Sequence, residues 1–283
     1  MEIARTIAEF RAARAGLPGP VGLFPTLGGV HAGHLALVDR ARADNASVVS
    51  TLFLNPTQFG EHEDLDRYPA DEADDLAQLE AHGVDLILVP PRSDVYPAGF
   101  GTTVHLDGIT DRLEGARRPG HFDGVTTVVL KLLNIATPDR AYFGEKDAQQ
   151  LRVIRQLVRD LDLPVEIVAC PTVRDPDGLA LSSRNAYLSV DERAAALSLS
   201  RGLYRARDAY GMGERDADRL RAVVRGELDG EPLVRVDYVS LADDETLVEV
   251  EGEVGGLALL SLAAHVGATH LIDNVTLREA LLS

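Results

Sequence analysis

The sequence predicts an α/β fold, a parallel β-sheet with helices on both faces, followed by a small α+β C-terminal domain. Two observations carry this expectation: short β-rich runs alternate with helical patterns over roughly the first 170 residues, and the texture changes after Pro176. Residues 1–14 mix acidic and basic side chains in a helical pattern. The runs 21–24, 48–54, 86–89, 141–143 and 165–169 are short, apolar and bounded by Gly, Pro or Asn, so they read as buried strands. Between them, 35–43, 72–82, 125–136 and 148–161 carry helical spacing. Such a sheet has right-handed crossovers and a ligand crevice at the carboxyl ends of its strands, so the functional loops should follow strands. Further on, Ala- and Arg-rich helices at 191–210 and 216–228 precede strands at 234–240, 258–261 and 269–272. Domains of 1–175 and 176–283 follow, joined through 173–185, whose Pro, Gly and paired serines suit a hinge or lid as well as a passive linker.

Composition narrows the class. With 283 residues, 45% hydrophobic and 26% charged, the chain has the makeup of a globular protein with one large domain or two modest ones. A net charge of −17 argues against general binding to nucleic acid or membrane surfaces, which needs a basic footprint, so an anionic substrate must find a local basic pocket. The single cysteine, Cys170, allows no internal disulfide and reads as a small buried side chain. No signal-peptide pattern or membrane span is evident, and a cytoplasmic location is expected. Lysine is nearly absent: Lys131 and Lys146 are the only two among 28 basic residues. An ammonium is not interchangeable with a guanidinium, so each invites a reason.

The chemistry begins at Phe24-Pro25-Thr26-Leu27-Gly28-Gly29-Val30-His31-Ala32-Gly33-His34, which follows the first strand and opens the first crossover helix. Glycines let the backbone approach a phosphate, and a helix start aims free N–H groups and partial positive charge at it. His31 and His34, three apart, project to one face and can donate to a phosphate whose charge grows during transfer. Taken as an isolated pair they would read as a cap and a core histidine. A zinc site lacks a compact set of further ligands, and neither the dinucleotide nor the Walker glycine spacing is present. Lys146 sits between a strand and a helix, where its ammonium can neutralise the charge of departing pyrophosphate, or can simply be a solvated surface lysine. Ser182, Ser183 and Arg184 offer two hydroxyls and a fork of donors that either close over a triphosphate or cap the following helix. Asp74, Asp75 and Gln78 fall on one side of the helix after Tyr68-Pro69 and read as Mg²⁺ ligands or as an ordinary solvated acidic face. Val125, Val128 and Val129 share a helical face, which is most often core packing.

The Phe24–His34 run resembles the HxGH signature shared by nucleotidyltransferases and class I aminoacyl-tRNA synthetases. Three more segments, 54–60 (LNPTQFG), 118–122 (RPGHF) and 142–150 (YFGEKDAQQ), together with 177–185 (DGLALSSRN), are similar in order and spacing to the pantothenate synthetase family, clearly over 21–188 and more loosely beyond. That resemblance implies a Rossmann-like ATP- and pantoate-binding domain with a C-terminal lid. It implies ATP-dependent ligation of pantoate and β-alanine through a pantoyl-adenylate, with Mg²⁺ as cofactor and a homodimer as the assembly. The catalytic residues would be His31, His34, Lys146 and Arg184. ATP would be held by Pro25, Thr26, Leu27, Gly28, Gly33, His34, Gly144, Lys146, Asp147, Val173, Leu181, Ser182, Ser183 and Arg184. Gln58, Gln150 and Asn55 would hold the acid, since a neutral amide orients a carboxylate without quenching its nucleophilicity. Val125, Val128 and Val129 would line the slot for its dimethyl group, and Arg118 and His121 would favour anions nearby. The departures are small: Leu27 stands where the family commonly has Met, Gly29 and Val30 replace Ala and Leu, and Ala32 replaces an acidic residue. The rival readings are another HxGH-type nucleotidyltransferase, which needs a second phosphate pocket, and a non-catalytic nucleotide sensor.

Overall fold

The computed structural model describes residues 1–61 and 63–278, so the last five residues of the expected 176–283 domain lie outside the described residues. The chain forms two compact units. The first comprises Met1–Asp111, Gly115–Glu145 and Gln150–Thr172; the second takes in Arg112–Glu114, Lys146–Gln149 and the chain from Val173 onward.

In the first unit β1 (Glu2–Ala4) leads to α1 (Ile7–Arg14), β2 (Val21–Thr26), α2 (Ala32–Asp44) and β3 (Ser47–Leu52). Then come α3 (Glu72–Ala81), β4 (Leu86–Leu88), α4 (Arg92–Val95), α5 (Leu113–Arg117, shared with the second unit), α6 (His121–Ala136), β5 (Arg140–Gly144), α7 (Ala148–Asp160) and β6 (Glu166–Cys170). The strands form one parallel sheet in the order β1-β4-β3-β2-β5-β6. The apolar runs singled out in the sequence are its strands, and every residue of β3 is buried, as expected of a strand covered on both sides. The N-terminal segment departs from the expected helix. Residues 2–4 pair with β4, and the helix starts only after Thr6, where Thr6 and Glu9 form a reciprocal capping box.

The connections through α1, α6 and α7 step across the sheet in one direction and those through α2 and α3 in the other. Right-handed crossovers therefore place the two sets on opposite faces, in keeping with α1 packing on α6 and α2 on α3. The chain steps outward from β2 to β3 on one side and from β5 to β6 on the other. Strand order thus reverses between β2 and β5, and the crevice beyond their carboxyl ends is where an open α/β sheet accepts a ligand.

The second unit contains α8 (Val190–Gly211), α9 (Ala217–Asp229), β7 (Val234–Asp243), β8 (Ala258–Val266) and β9 (Thr269–Leu277). Its strands form an antiparallel sheet in the order β7-β8-β9, longer than the sequence runs indicated because their pairing continues through His265 and Asn274. Leu199 and Leu203 of α8 and Leu220 and Val224 of α9 pack with Leu241, Leu260 and Leu262 of the sheet in a core of its own. Ser189 and Glu192 cap α8 reciprocally, and Asp216 caps α9.

Candidate active site

The turn after β2 is built from glycine and borrowed acceptors. Gly28 and Gly29 adopt φ of 100° and 64°, in the left-handed region open to residues without a Cβ. A Cβ on Gly28 would also lie 2.9 Å from Asp75 Oδ2 and 3.0 Å from Ala70 Cβ. Thr26 Oγ1 accepts the Gly28 N–H at 3.1 Å. The next two amides go to one carboxylate: Gly29 N–H donates to Asp75 Oδ2 (2.9 Å) and Val30 N–H to Oδ1 (2.6 Å).

His31 is the N-cap of α2, its Nδ1 accepting the Gly33 N–H at 3.1 Å. A neutral imidazole that accepts at Nδ1 carries its proton on Nε2, so the cap fixes His31 as an Nε2–H donor. His34 stacks on His31 with centroids 4.0 Å apart and planes 25° apart, and Phe24 supports it at 5.8 Å. The pair sits half-buried at a helix start, with Pro25, Thr26 and Leu27 leading in and Gly33 forming the first turn.

The residues expected to hold Mg²⁺, Asp74, Asp75 and Gln78, lie together on α3. Asp75 is buried, with both oxygens engaged by the turn amides, whereas Asp74 is exposed and its Oδ2 accepts the Gln78 side-chain amide at 2.6 Å. Burial pushes the Asp75 carboxyl above its ordinary value against the pull of the Val30 and Gly29 amides. Asp75 is thus committed to two turn amides, while Asp74 and Gln78 are hydrogen-bonded to each other at the surface of the helix. Asp75 shapes the turn.

A second cluster lies on the fully buried Asn55, which caps the short 3-10 turn Pro56–Gln58. Its Oδ1 accepts from Thr57 Oγ1 (2.9 Å) and the Tyr96 hydroxyl (2.8 Å), while its Nδ2 donates to Gly124 O (3.2 Å) and Gln58 Oε1 (3.0 Å). With its amide oxygen held, what Gln58 has to offer a ligand is the Nε2 donor. Gly124 lets α6 approach, because a Cβ there would run into the Thr57 and Gln58 backbone. Val125, Val128 and Val129 of α6 are buried, and Gln150 on the first turn of α7 is half-buried.

Arg118 and His121, expected to favour anions near the acid pocket, are engaged here with Glu63 and Gln58. Arg118 clamps Glu63 through Nε (2.6 Å) and Nη2 (2.5 Å) and reaches Gln58 O at 3.3 Å. His121 Nδ1 lies 2.7 Å from Gln58 O; a carbonyl only accepts, so the proton is on Nδ1, and Nε2 accepts from Arg118 Nη1 at 3.2 Å. The Arg118 charge is matched by Glu63. Burial would raise the Glu63 carboxyl, but the Arg118 hydrogen bonds and charge hold it below its ordinary value. Both residues therefore fix the Gln58 backbone.

In the second unit Lys146 stands in a 3-10 turn, Glu145–Asp147, just past the end of β5 at Gly144, as its strand-to-helix placement implied. Its Nζ lies 3.7 Å from Asp147 Oδ1, its side chain is 18% exposed, and Asn274 Nδ2 pins its carbonyl at 2.9 Å. Lys131, the other lysine, is accounted for by aromatic rings: its ammonium lies 4.6 Å from the Phe100 centroid and 5.9 Å from that of Tyr96. The join is an ordered hairpin. Leu181 N–H donates to Val173 O (3.0 Å), Asp175 N–H to Leu179 O (2.9 Å), and Arg174 forms a two-pronged pair with the buried Asp273 at 2.6 and 2.8 Å. Ser182 caps the 3-10 turn Ser183–Tyr187 by accepting the Arg184 N–H at 3.3 Å, which places Ser183 and Arg184 at a local helix start. Asp75, Glu63 and Tyr96 were not singled out in the sequence, at least not in these roles, because their partners lie 39 to 55 residues away and follow no local spacing.

A family model described as Pantoate-beta-alanine ligase matches residues 2–276. A protein of Roseiflexus sp. (strain RS-1) named pantothenate synthetase is 57% identical over 277 residues, covering 98% of this chain and 99% of that protein. The crystal structure of pantothenate synthetase from Thermus thermophilus superposes with a TM-score of 0.93 at 46% identity, covering 98% of this chain and 100% of that one. A pantoate-beta-alanine ligase from Francisella tularensis, complexed with beta-gamma ATP and beta-alanine, matches at 33% identity with a TM-score of 0.81, covering 100% of both chains.

Proposed function

The chain belongs to the pantoate-beta-alanine ligase family, and from that premise we propose that it joins pantoate to β-alanine in two steps driven by ATP. An oxygen of the pantoate carboxylate first attacks the α-phosphorus of ATP; the bond to the bridging oxygen breaks, giving pantoyl-adenylate and pyrophosphate. The β-alanine amine then attacks the acyl carbon, the bond from that carbon to the AMP oxygen breaks, and the nitrogen gives up a proton as pantothenate forms. The Francisella ligase, complexed with beta-gamma ATP and beta-alanine, supports this choice of substrates.

The carrying observation is the start of α2, where a glycine turn at the carboxyl end of a central strand leads into a helix capped by His31 Nδ1, an arrangement that supports anion binding through the His31 Nε2–H. Both partners of the first step are anions, so the first task of the protein is electrostatic. In this reading His31 and His34 donate to the nucleotide phosphates, and Lys146 and Arg184 carry the charge of the departing pyrophosphate. Gln58, steered by Asn55, donates to the pantoate carboxylate together with Gln150, and the valines of α6 form the slot for the branched carbon. Asp74, Asp75 and Gln78 would hold Mg²⁺ together with the nucleotide phosphates, and the ion would neutralise phosphate charge when bound. The family reading also carries a homodimer and a cytoplasmic location.

Exchange of labelled pyrophosphate into ATP, dependent on pantoate and independent of β-alanine, tests the reading directly. Exchange that ignores pantoate would overturn it.

A further inference from the structure

The antiparallel sheet of the second unit gathers a set of side chains that the ligase reaction does not use. His265 of β8 and His270 of β9 are directly opposed across the β8–β9 hairpin, so both imidazoles stand on one face with centroids 4.9 Å apart. Asp237 comes to them from β7 at an irregularity in register between Val236 and Tyr238, the kind of bulge that re-aims a side chain. Its Oδ2 lies 2.8 Å from His265 Nδ1 and 3.4 Å from His270 Nε2, and one ligand atom from each of the three lies within 4.8 Å of the others. Glu114, in the piece of chain that joins this unit from 112–114, brings Oε1 to 3.9 Å from His270 Nε2, and its backbone N–H donates to Gln149 Oε1 at 3.0 Å.

We propose that Asp237, His265 and His270 form a three-ligand site for a Zn²⁺-class divalent cation in the second unit, its fourth position left to a water molecule. Tetrahedral bonds of about 2.0–2.1 Å put neighbouring ligand atoms about 3.3 Å apart, and the separations from Asp237 Oδ2 bracket that edge. Donor chemistry agrees: two imidazole nitrogens with a carboxylate oxygen suit zinc, whereas magnesium and calcium prefer oxygen alone. Orientation is the most telling feature. His265 Nδ1 is buried and 2.8 Å from Asp237 Oδ2, yet makes no hydrogen bond. A nitrogen and an oxygen that are close but not aligned with each other are placed to converge on a third body. Only about a quarter of either imidazole is exposed, and the carboxylates are more deeply set, so the ion would be largely shielded from water. His265 and His270 are five apart in the chain, a spacing without helical meaning, so only the hairpin register brings them together.

The test uses the full-length chain stripped with chelator and titrated calorimetrically with ZnCl₂. One equivalent should bind, and binding should raise the thermal midpoint by mass action. His265→Gln and His270→Gln should each abolish both effects, while the double variant His31→Gln, His34→Gln keeps them. Co²⁺ in the unmutated protein is a second measurement that does not depend on a variant folding, and it should give the intense visible bands of a tetrahedral ion. Absence of stoichiometric Zn²⁺ binding, binding that survives both sheet variants, loss of binding in the HxxH double variant, or a weak octahedral Co²⁺ spectrum would each overturn the assignment.

Discussion

Replacing Asp75 by Asn tests whether the turn before α2 is set by a carboxylate 46 residues away. Both oxygens accept turn amides, at 2.9 Å from Gly29 and 2.6 Å from Val30. The isosteric amide keeps one acceptor and sets an NH₂ group against the other N–H. A hydrogen bond to a charged group contributes roughly 1.5–3 kcal/mol, so if that energy holds the turn in its nucleotide-binding shape, kcat/KM for ATP falls by about 10- to 150-fold. Stability should move differently. Burial raises the folded pKa of Asp75 above its ordinary 3.8, so its contribution to stability is full below that value and declines as pH rises through the folded pKa. The Asn variant has no such decline, and its thermal midpoint relative to the parent should improve from about pH 4 upward while activity drops. Pantoate-dependent pyrophosphate exchange and thermal scans across pH read the two effects. Parental exchange in the variant, or an unchanged pH profile of stability, would refute the role assigned to this carboxylate.

Lys146→Ala and His34→Ala should each lower exchange by on the order of 10²–10³-fold with an unchanged circular dichroism spectrum, because each removes a donor to phosphate. Gln58→Glu should raise the KM for pantoate by on the order of 100-fold, since two carboxylates about 4 Å apart repel by several kcal/mol at an effective dielectric near 20; initial rates against pantoate concentration check this. Arg174→Ala strands the buried Asp273 carboxylate and should cost about 3–5 kcal/mol in denaturant unfolding. Burial pushes the Cys170 thiol up to about 11, so the native protein should resist iodoacetamide at about pH 8 and react once denatured.

The strands were legible because a sheet covered on both faces leaves uninterrupted apolar runs, as Val48 and Val49 in β3 show. The HxGH turn was legible because its glycines, helix start and histidines are contiguous. The first strand was not: Glu2–Ala4 is too short to show a period, and it forms only because β4 offers an edge. The protein partners of Asp75 and Arg118 were not legible for a related reason. Charge invites a reading in terms of ligands, whereas one binds backbone amides 45 residues away and the other a glutamate 55 residues away. Chain geometry decided between these uses, and composition carries no trace of it.

The scarcity of lysine has a chemical corollary. An acyl-adenylate transfers its acyl group to any competent amine, and this chain presents only two lysine side chains to compete with the amino acid. One of these ammonium groups lies against Phe100 and the other beside Asp147. A catalyst that generates a reactive mixed anhydride is thereby poor in targets for its own intermediate, and an amine-directed reagent finds only Lys131 and Lys146 among its side chains.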